Sequence, residues 1–192
     1  MSRIIAGSAK GRRLAMPKGD RTRPTTSRVR EALFSALASW FGTADDAPDE
    51  HLAGLAVLDL FGGSGAIGLE AASRGAKRVT IVESDAPTAR LIAANARDAK
   101  LNADVVTGRV PGAIGSVQPG FDLVFADPPY DLSDAILDQL LEALAAEGFL
   151  LQRALVVVER ATSSGTPHWP GIFTDVWERG YGETTLYFAA TN

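Results

Sequence analysis

From Leu55 onward the apolar positions follow two alternating patterns. Short, nearly unbroken apolar runs predict buried strands at 55–60, 78–83, 104–107, 121–126 and 154–159. Between them apolar residues recur three or four positions apart, which predicts helices. One follows the glycines after Leu60 and carries Ile67, Leu69 and Ala72. A second has Pro87 near its start and Leu91 and Ile92 on its inner face. A third, capped by Ser133, presents Ile136, Leu137, Leu140, Leu141 and Leu144. Two last strands, 173–178 and 184–190, are joined through Gly180-Tyr181-Gly182. Strand–helix alternation that ends in a hairpin predicts an α/β fold, with a mostly parallel seven-stranded sheet and a C-terminal antiparallel strand.

Upstream, Val29, Leu33, Leu37 and Trp40 or Phe41 form one helical stripe, with Arg28, Arg30, Glu31 and Ser35 largely off it. Thr or Ser at 25–27 can cap this helix, because a hydroxyl satisfies backbone N–H groups that lack a partner within it. Ile4, Ile5, Leu14 and Met16 flank Ser8-Ala9-Lys10-Gly11, which reads as a short hairpin. The acidic stretch 42–54, with Pro48, reads as a mobile loop. The expected organisation is a small N-terminal extension over 1–24 and one catalytic-sized α/β domain over 25–192.

Composition narrows the classes. The chain has 192 residues, 46% of them hydrophobic, enough for a sizeable core. It has no run of membrane-span length and no apolar signal region, so a soluble, cytoplasmic protein is expected. There is no cysteine, and His51 and His168 lack companions at ligand spacing, so no metal site is expected. Net charge is −4, but it is divided unevenly. Residues 1–30 carry nine Lys or Arg against one acid, and the rest carries ten basic and twenty-two acidic residues. A basic, structured segment on an acidic body points to a polyanion partner.

Two stretches carry candidate chemistry. In the first, the strand containing Asp59 breaks into Phe61-Gly62-Gly63-Ser64-Gly65. Gly63-x-Gly65-x-x-Gly68 matches a dinucleotide-binding turn, and Glu83 ends the next strand, where a carboxylate can accept from a ribose diol. This signal says that a nucleoside binds, without saying which one. In the second, Asp127-Pro128-Pro129-Tyr130 follows a later strand. Its prolines stiffen the corner and lack N–H groups, so carbonyls remain available as acceptors. The Asp127 carboxylate and the Pro128 carbonyl can each take one N–H of an exocyclic amino group, leaving its lone pair facing an electrophile, and Tyr130 can stack on the base.

The Asp59 strand, the 61–65 turn, Glu83 and the 127–130 corner together resemble the motifs of class I S-adenosylmethionine-dependent amino-group methyltransferases, a Rossmann-like fold. Arg3-Ile4-Ile5-Ala6-Gly7, Gly11-Arg12-Arg13-Leu14, Thr22-Arg23-Pro24-Thr25 and Val29-Arg30-Glu31-Ala32-Leu33-Phe34 resemble the start of the RsmD family. That family methylates the exocyclic N2 of one guanine in bacterial small-subunit (16S) rRNA, and the resemblance covers nearly the whole chain. It implies that Asp59, Phe61, Gly62, Ser64, Gly65, Glu83 and Asp127 hold S-adenosylmethionine. It also implies catalytic roles for Asp127, Pro128 and Tyr130. Where the family offers Asp or Asn to the adenine end, this chain has Arg109, so backbone at Arg109 and Val110 is expected to take over. The implied RNA contacts are Lys10, Arg12, Arg13, Arg23, Arg30 and Tyr130. The implied partner is 16S rRNA in a small-subunit assembly particle, bound by a monomer.

Other classes compete. An NAD-dependent oxidoreductase fits the glycines and Glu83, but leaves the 127–130 corner and the basic segment unused. A DNA adenine or cytosine amino-methyltransferase shares the corner, yet the chain has little room for a target-recognition domain. A protein-glutamine methyltransferase has no use for the basic segment, and a non-catalytic RNA-binding module would need that segment alone.

Overall fold

A computed structural model describes residues 2–17 and 26–192. Strands β1 (Ser2–Arg3) and β2 (Arg13–Leu14) pair antiparallel and form the expected hairpin. Helix α1 (Ser27–Phe41) follows, and its N-cap Thr26 accepts a hydrogen bond from the Val29 N–H. Then come β3 (Ala56–Leu60), α2 (Ala66–Ser73), β4 (Arg78–Glu83), α3 (Ala86–Ala99), β5 (Asp104–Thr107), β6 (Phe121–Ala126), α4 (Asp134–Leu144), β7 (Leu150–Ala161), β8 (Phe173–Tyr181) and β9 (Thr184–Thr191). The seven strands from β3 to β9 lie in the order β5-β4-β3-β6-β7-β9-β8. Strands β3 to β7 pair parallel, and β9 runs antiparallel to both β7 and β8. No helix among the described residues is long and apolar enough to cross a membrane.

Because both faces of a parallel sheet are covered, its central strands are largely apolar: β3 is buried at every position, with Asp59 its one polar residue. One face packs Val29, Leu33 and Leu37 of α1, Ile67 and Leu69 of α2, and Ile92 and Ala96 of α3 against Val57, Ile81, Leu123 and Val157. The other packs Leu137, Leu140, Leu141 and Leu144 of α4 against Leu58, Val124 and Val156. The direction of winding changes between β3 and β6, which pair Leu60 with Ala126. In such sheets the ligand crevice opens beyond the carboxyl ends at that switch point. The turn after β3 and the corner after β6 both begin there.

Four expectations change. The 42–54 stretch is an ordered series of turns: Leu52 is buried and donates its N–H to the Arg74 carbonyl, and Thr43 Oγ1 donates to the His51 carbonyl. Strand β8 runs through Gly180 to Tyr181, so the hairpin tip is Gly182-Glu183. Strand β7 starts at Leu150, four residues earlier than expected. Ile136 is exposed on α4 rather than packed on its inner face.

Candidate active site

The turn after β3 is built under constraint. Phe61 adopts φ 63°, a left-handed conformation costly for a residue with a Cβ. Gly62 donates its N–H to the Val82 carbonyl, and Gly65 donates back to the Gly62 carbonyl. The glycines were expected to admit a ligand, but three of them admit protein instead. A Cβ on Gly62 would sit 2.5 Å from Ile81 Cγ2, one on Gly65 2.9 Å from Ile92 Cγ2, and one on Gly68 2.6 Å from Ile81. The exception is Gly63, at φ +56°, beside which a Cβ would meet nothing nearer than the Phe61 carbonyl at 3.9 Å.

Two carboxylates hold this turn. Asp59, fully within the sheet, accepts from the Gly68 N–H at 2.8 Å. Burial pushes its pKa up to about 7; the Gly68 hydrogen bond opposes that rise and the charge of Glu83 adds to it. Glu83, half-buried at the end of β4, accepts from the Gly63 N–H at 2.9 Å through one oxygen and the Asp85 N–H at 2.8 Å through the other. The Ser84 hydroxyl also donates to it at 3.3 Å, and since a carboxylate has about four lone-pair sites, one remains for a hydroxyl of a nucleoside. Ser64 is buried, and its carbonyl accepts from Asn95 Nδ2 of α3 at 3.0 Å. After β5, Arg109 is exposed and its carbonyl accepts from the Ala113 N–H, while the Val110 side chain packs with Ile114 and Val117.

Beyond the ends of β6 and β7, a cleft is lined by Asp127, Pro128, Pro129 and Tyr130 on one side and by Glu159, Arg160, Ser164 and Thr184 on the other, with Leu132 and Leu137 also lining it. Asp127 is half-buried, and Tyr130 is 72% exposed, open to whatever enters. The far wall, from the ends of β7 and β9, was not foreseen: strand register brings it there, and no motif marks it.

The basic segment is anchored rather than trailing. Glu70 of α2 accepts from the Ile5 and Ala6 N–H groups at 2.7 and 2.9 Å and from Arg74 Nε at 2.9 Å. Ser73 Oγ donates to the Ala6 carbonyl and accepts from the Ala9 N–H. Gly7 passes so close that a Cβ would lie 1.8 Å from the Ser73 carbonyl oxygen. Asn95 both accepts from and donates to the Ala15 backbone. Lys10, Arg12 and Arg13 are left exposed. Arg30 is not a surface for RNA: it is 1% exposed, and its guanidinium donates to Ser2 Oγ and the Arg3 carbonyl. Its place in α1 is off the apolar stripe but under the hairpin, which the helical period alone cannot show. Arg23 lies outside the described residues, as does the expected boundary at 24.

Comparison with known proteins places this arrangement. Residues 2–190 match the family model described as Conserved hypothetical protein 95. The chain is 36% identical over 169 residues to ribosomal RNA small subunit methyltransferase D of Escherichia coli, covering 88% of this chain and 79% of that one. It is 33% identical to its namesake in Haemophilus influenzae, covering 82% and 77%. Among solved structures, yhhF of Escherichia coli superposes with a TM-score of 0.82 at 31% identity, covering 99% and 97%. The chain belongs to the family of Conserved hypothetical protein 95, the RsmD family of S-adenosylmethionine-dependent rRNA methyltransferases.

Proposed function

We propose that the chain methylates the exocyclic N2 of a guanine in small-subunit rRNA. The observation that carries this reading is the position of the 127–130 corner. It follows β6 directly beside the Phe61–Gly65 turn, because Leu60 and Ala126 pair in register. A base amino group held at the corner would face a cofactor held at the turn. S-adenosylmethionine supplies a sulfonium methyl, whose transfer breaks the S–CH3 bond, forms an N2–CH3 bond and leaves one proton to be removed.

The residues of the chain do the rest. Glu83 would hold the ribose and the turn would hold the sugar and amino-acid tail, with Gly63 offering open backbone. Asp127 and the Pro128 carbonyl accept the two N2 hydrogens and turn the nitrogen lone pair toward the methyl; Asp127 then takes the released proton. Tyr130 stacks on the base, a contact worth about 1–3 kcal/mol. This helps to offset the few kcal/mol of taking a guanine out of its stack. A sulfonium is a strong electrophile, so positioning outweighs general-base strength.

The test is nucleoside mass spectrometry and primer extension on rRNA from cells with and without the gene. One guanine should lose its N2-methyl mark without it, and purified protein should restore the mark on small-subunit particles. Asp127→Ala should abolish transfer while S-adenosylmethionine still binds, and Tyr130→Phe should be far milder than Tyr130→Ala. A product other than N2-methylguanosine would refute the reading.

A further inference from the structure

Strand β7 runs through buried aliphatic residues, Leu155 to Val158, and then presents a carboxylate, Glu159, that is only 8% exposed. Register puts it beside Asp127: Phe125 pairs with Val157 and Ala126 with Val158, so the next residues on the two strands are neighbours. The faces agree as well. Leu123, Phe125, Leu155 and Val157 share one apolar cluster, and Val124, Ala126, Val156 and Val158 share the other. Asp127 and Glu159 continue the first set, and both line the cleft that Tyr130 borders. Arg160, next in sequence, is turned to Asp134 Oδ1 at 2.6 Å and the Gly165 carbonyl at 3.3 Å.

We propose that Glu159 selects the base, by accepting the N1–H of guanine while Asp127 and the Pro128 carbonyl accept the hydrogens on N2. This rests on the reading that guanine N2 is the reacting atom. Adjacent strands lie roughly 4.8 Å apart, so carboxylates at neighbouring ends can converge on neighbouring donors of one base edge. Guanine is the standard base that offers a ring N–H next to an amino group. Adenine and cytosine set a bare ring nitrogen beside theirs, and its lone pair would oppose a buried carboxylate; uracil has the ring N–H but no amino group to methylate. A site built to receive a donor rejects an analogue that lacks it, because its own buried acceptor is left unpaired. Both carboxylates have interactions within the chain, so only a base edge that donates to them can take the place of those partners.

The experiment uses small-subunit rRNA fragments carrying either guanine or 2-aminopurine at the position that the wild-type protein methylates. 2-Aminopurine keeps the 2-amino group but has a bare N1. Wild-type kcat/KM should favour guanine by about tenfold to a hundredfold. Glu159→Gln should erase most of that preference, since its amide can accept from the N1–H of guanine or donate to the bare N1 of 2-aminopurine. S-adenosylmethionine affinity should be unchanged. If wild type yields N2-methylguanosine and folded E159Q keeps the wild-type ratio, the assignment of Glu159 is overturned while the N2 reading stands. If wild type yields another product, the N2 reading itself fails. Should E159Q not fold, Glu159→Asp withdraws the carboxylate by one methylene and should reduce the ratio; an undiminished ratio in folded E159D overturns the assignment.

Discussion

Asp59 shows how much one side chain inside the sheet can report. Its pKa is raised to about 7, chiefly by burial, against an ordinary value of 3.8. The folded state therefore holds a proton that the unfolded chain releases between about pH 4 and 7. Stability contributed by the protonated form is complete below about pH 4, declines as pH rises through this window, and levels off above 7. Asp59→Asn keeps an oxygen that can accept from the Gly68 N–H but cannot titrate. In denaturant titrations across pH 4–8, wild type should lose stability relative to Asp59→Asn by at most about 1.4 kcal/mol per pH unit. Parallel curves for the two proteins would show that Asp59 stays ionised. Glu83 calls for a sharper instrument than simple loss of affinity, because it also holds Gly63 and Asp85. Glu83→Ala should weaken S-adenosylmethionine binding by about 1.5–3 kcal/mol. Wild type should also prefer the natural cofactor over its 2′-deoxy and 3′-deoxy analogues, and the variant should not. An equal preference in both would confine Glu83 to holding the turn.

At the scale of elements, α3 ties the basic segment to the glycine turn after β3 through Asn95. Asn95 spends its amide on the Ala15 backbone and the Ser64 carbonyl, both at 2.9–3.0 Å. Asn95→Ala would leave the buried Ser64 carbonyl without this donor, at a cost of about 1–3 kcal/mol, and would release the more exposed Ala15 backbone. It should speed hydrogen exchange at the Ala15 N–H and lower S-adenosylmethionine affinity, whereas Asn95→Asp, which keeps the acceptor and loses the donors, should spare Ala15 exchange more than affinity. Equal cofactor affinity in all three proteins would disconnect Asn95 from the turn. None of this was legible in the sequence. Strands β3 to β6 were, since an apolar run bounded by glycine or proline is a local signal, and so were the Thr26 cap and the hairpin. What escaped was the use of polar side chains over long separations: Asn95 meets a partner 80 positions away and Glu70 one 65 away. Helical period assigns such residues to solvent, and Arg30 was misread in the same way. Glu159 could be seen as an acid ending a strand, but its neighbour Asp127 follows only from register. The 42–54 turns were hidden by an acidic composition whose few anchors, Leu52 and Thr43, carry no pattern.

The molecule as a whole joins a basic N-terminal segment to an acidic body. Nine of its nineteen Lys and Arg fall in the first thirty residues, but burial of Arg30 removes it from the surface that RNA can meet. Lys10, Arg12 and Arg13 are exposed on a hairpin whose backbone is pinned to α2 by Glu70 and Ser73. Their charges are thus held in fixed positions, which suits phosphate binding better than a loose tail does. Each phosphate contact releases counterions, so the logarithm of affinity should fall with the logarithm of salt by about 0.7–0.9 per contact. Replacing Lys10, Arg12 and Arg13 together with Gln should flatten that slope by roughly two to three units and weaken RNA binding. S-adenosylmethionine affinity should hold, because among the described residues the side chains of these three take no part in the hydrogen bonds that join the hairpin to α2 or α3. Arg30→Gln should behave in the opposite way: it breaks the guanidinium's contacts with Ser2 and Arg3, so it should lower the unfolding midpoint and loosen the hairpin while leaving the intrinsic number of phosphate contacts nearly unchanged. RNA binding across a salt series, run beside thermal unfolding on the same proteins, separates the two. A triple variant with the wild-type slope would mean that the RNA is held elsewhere, and an Arg30→Gln protein of wild-type stability would remove the clamp.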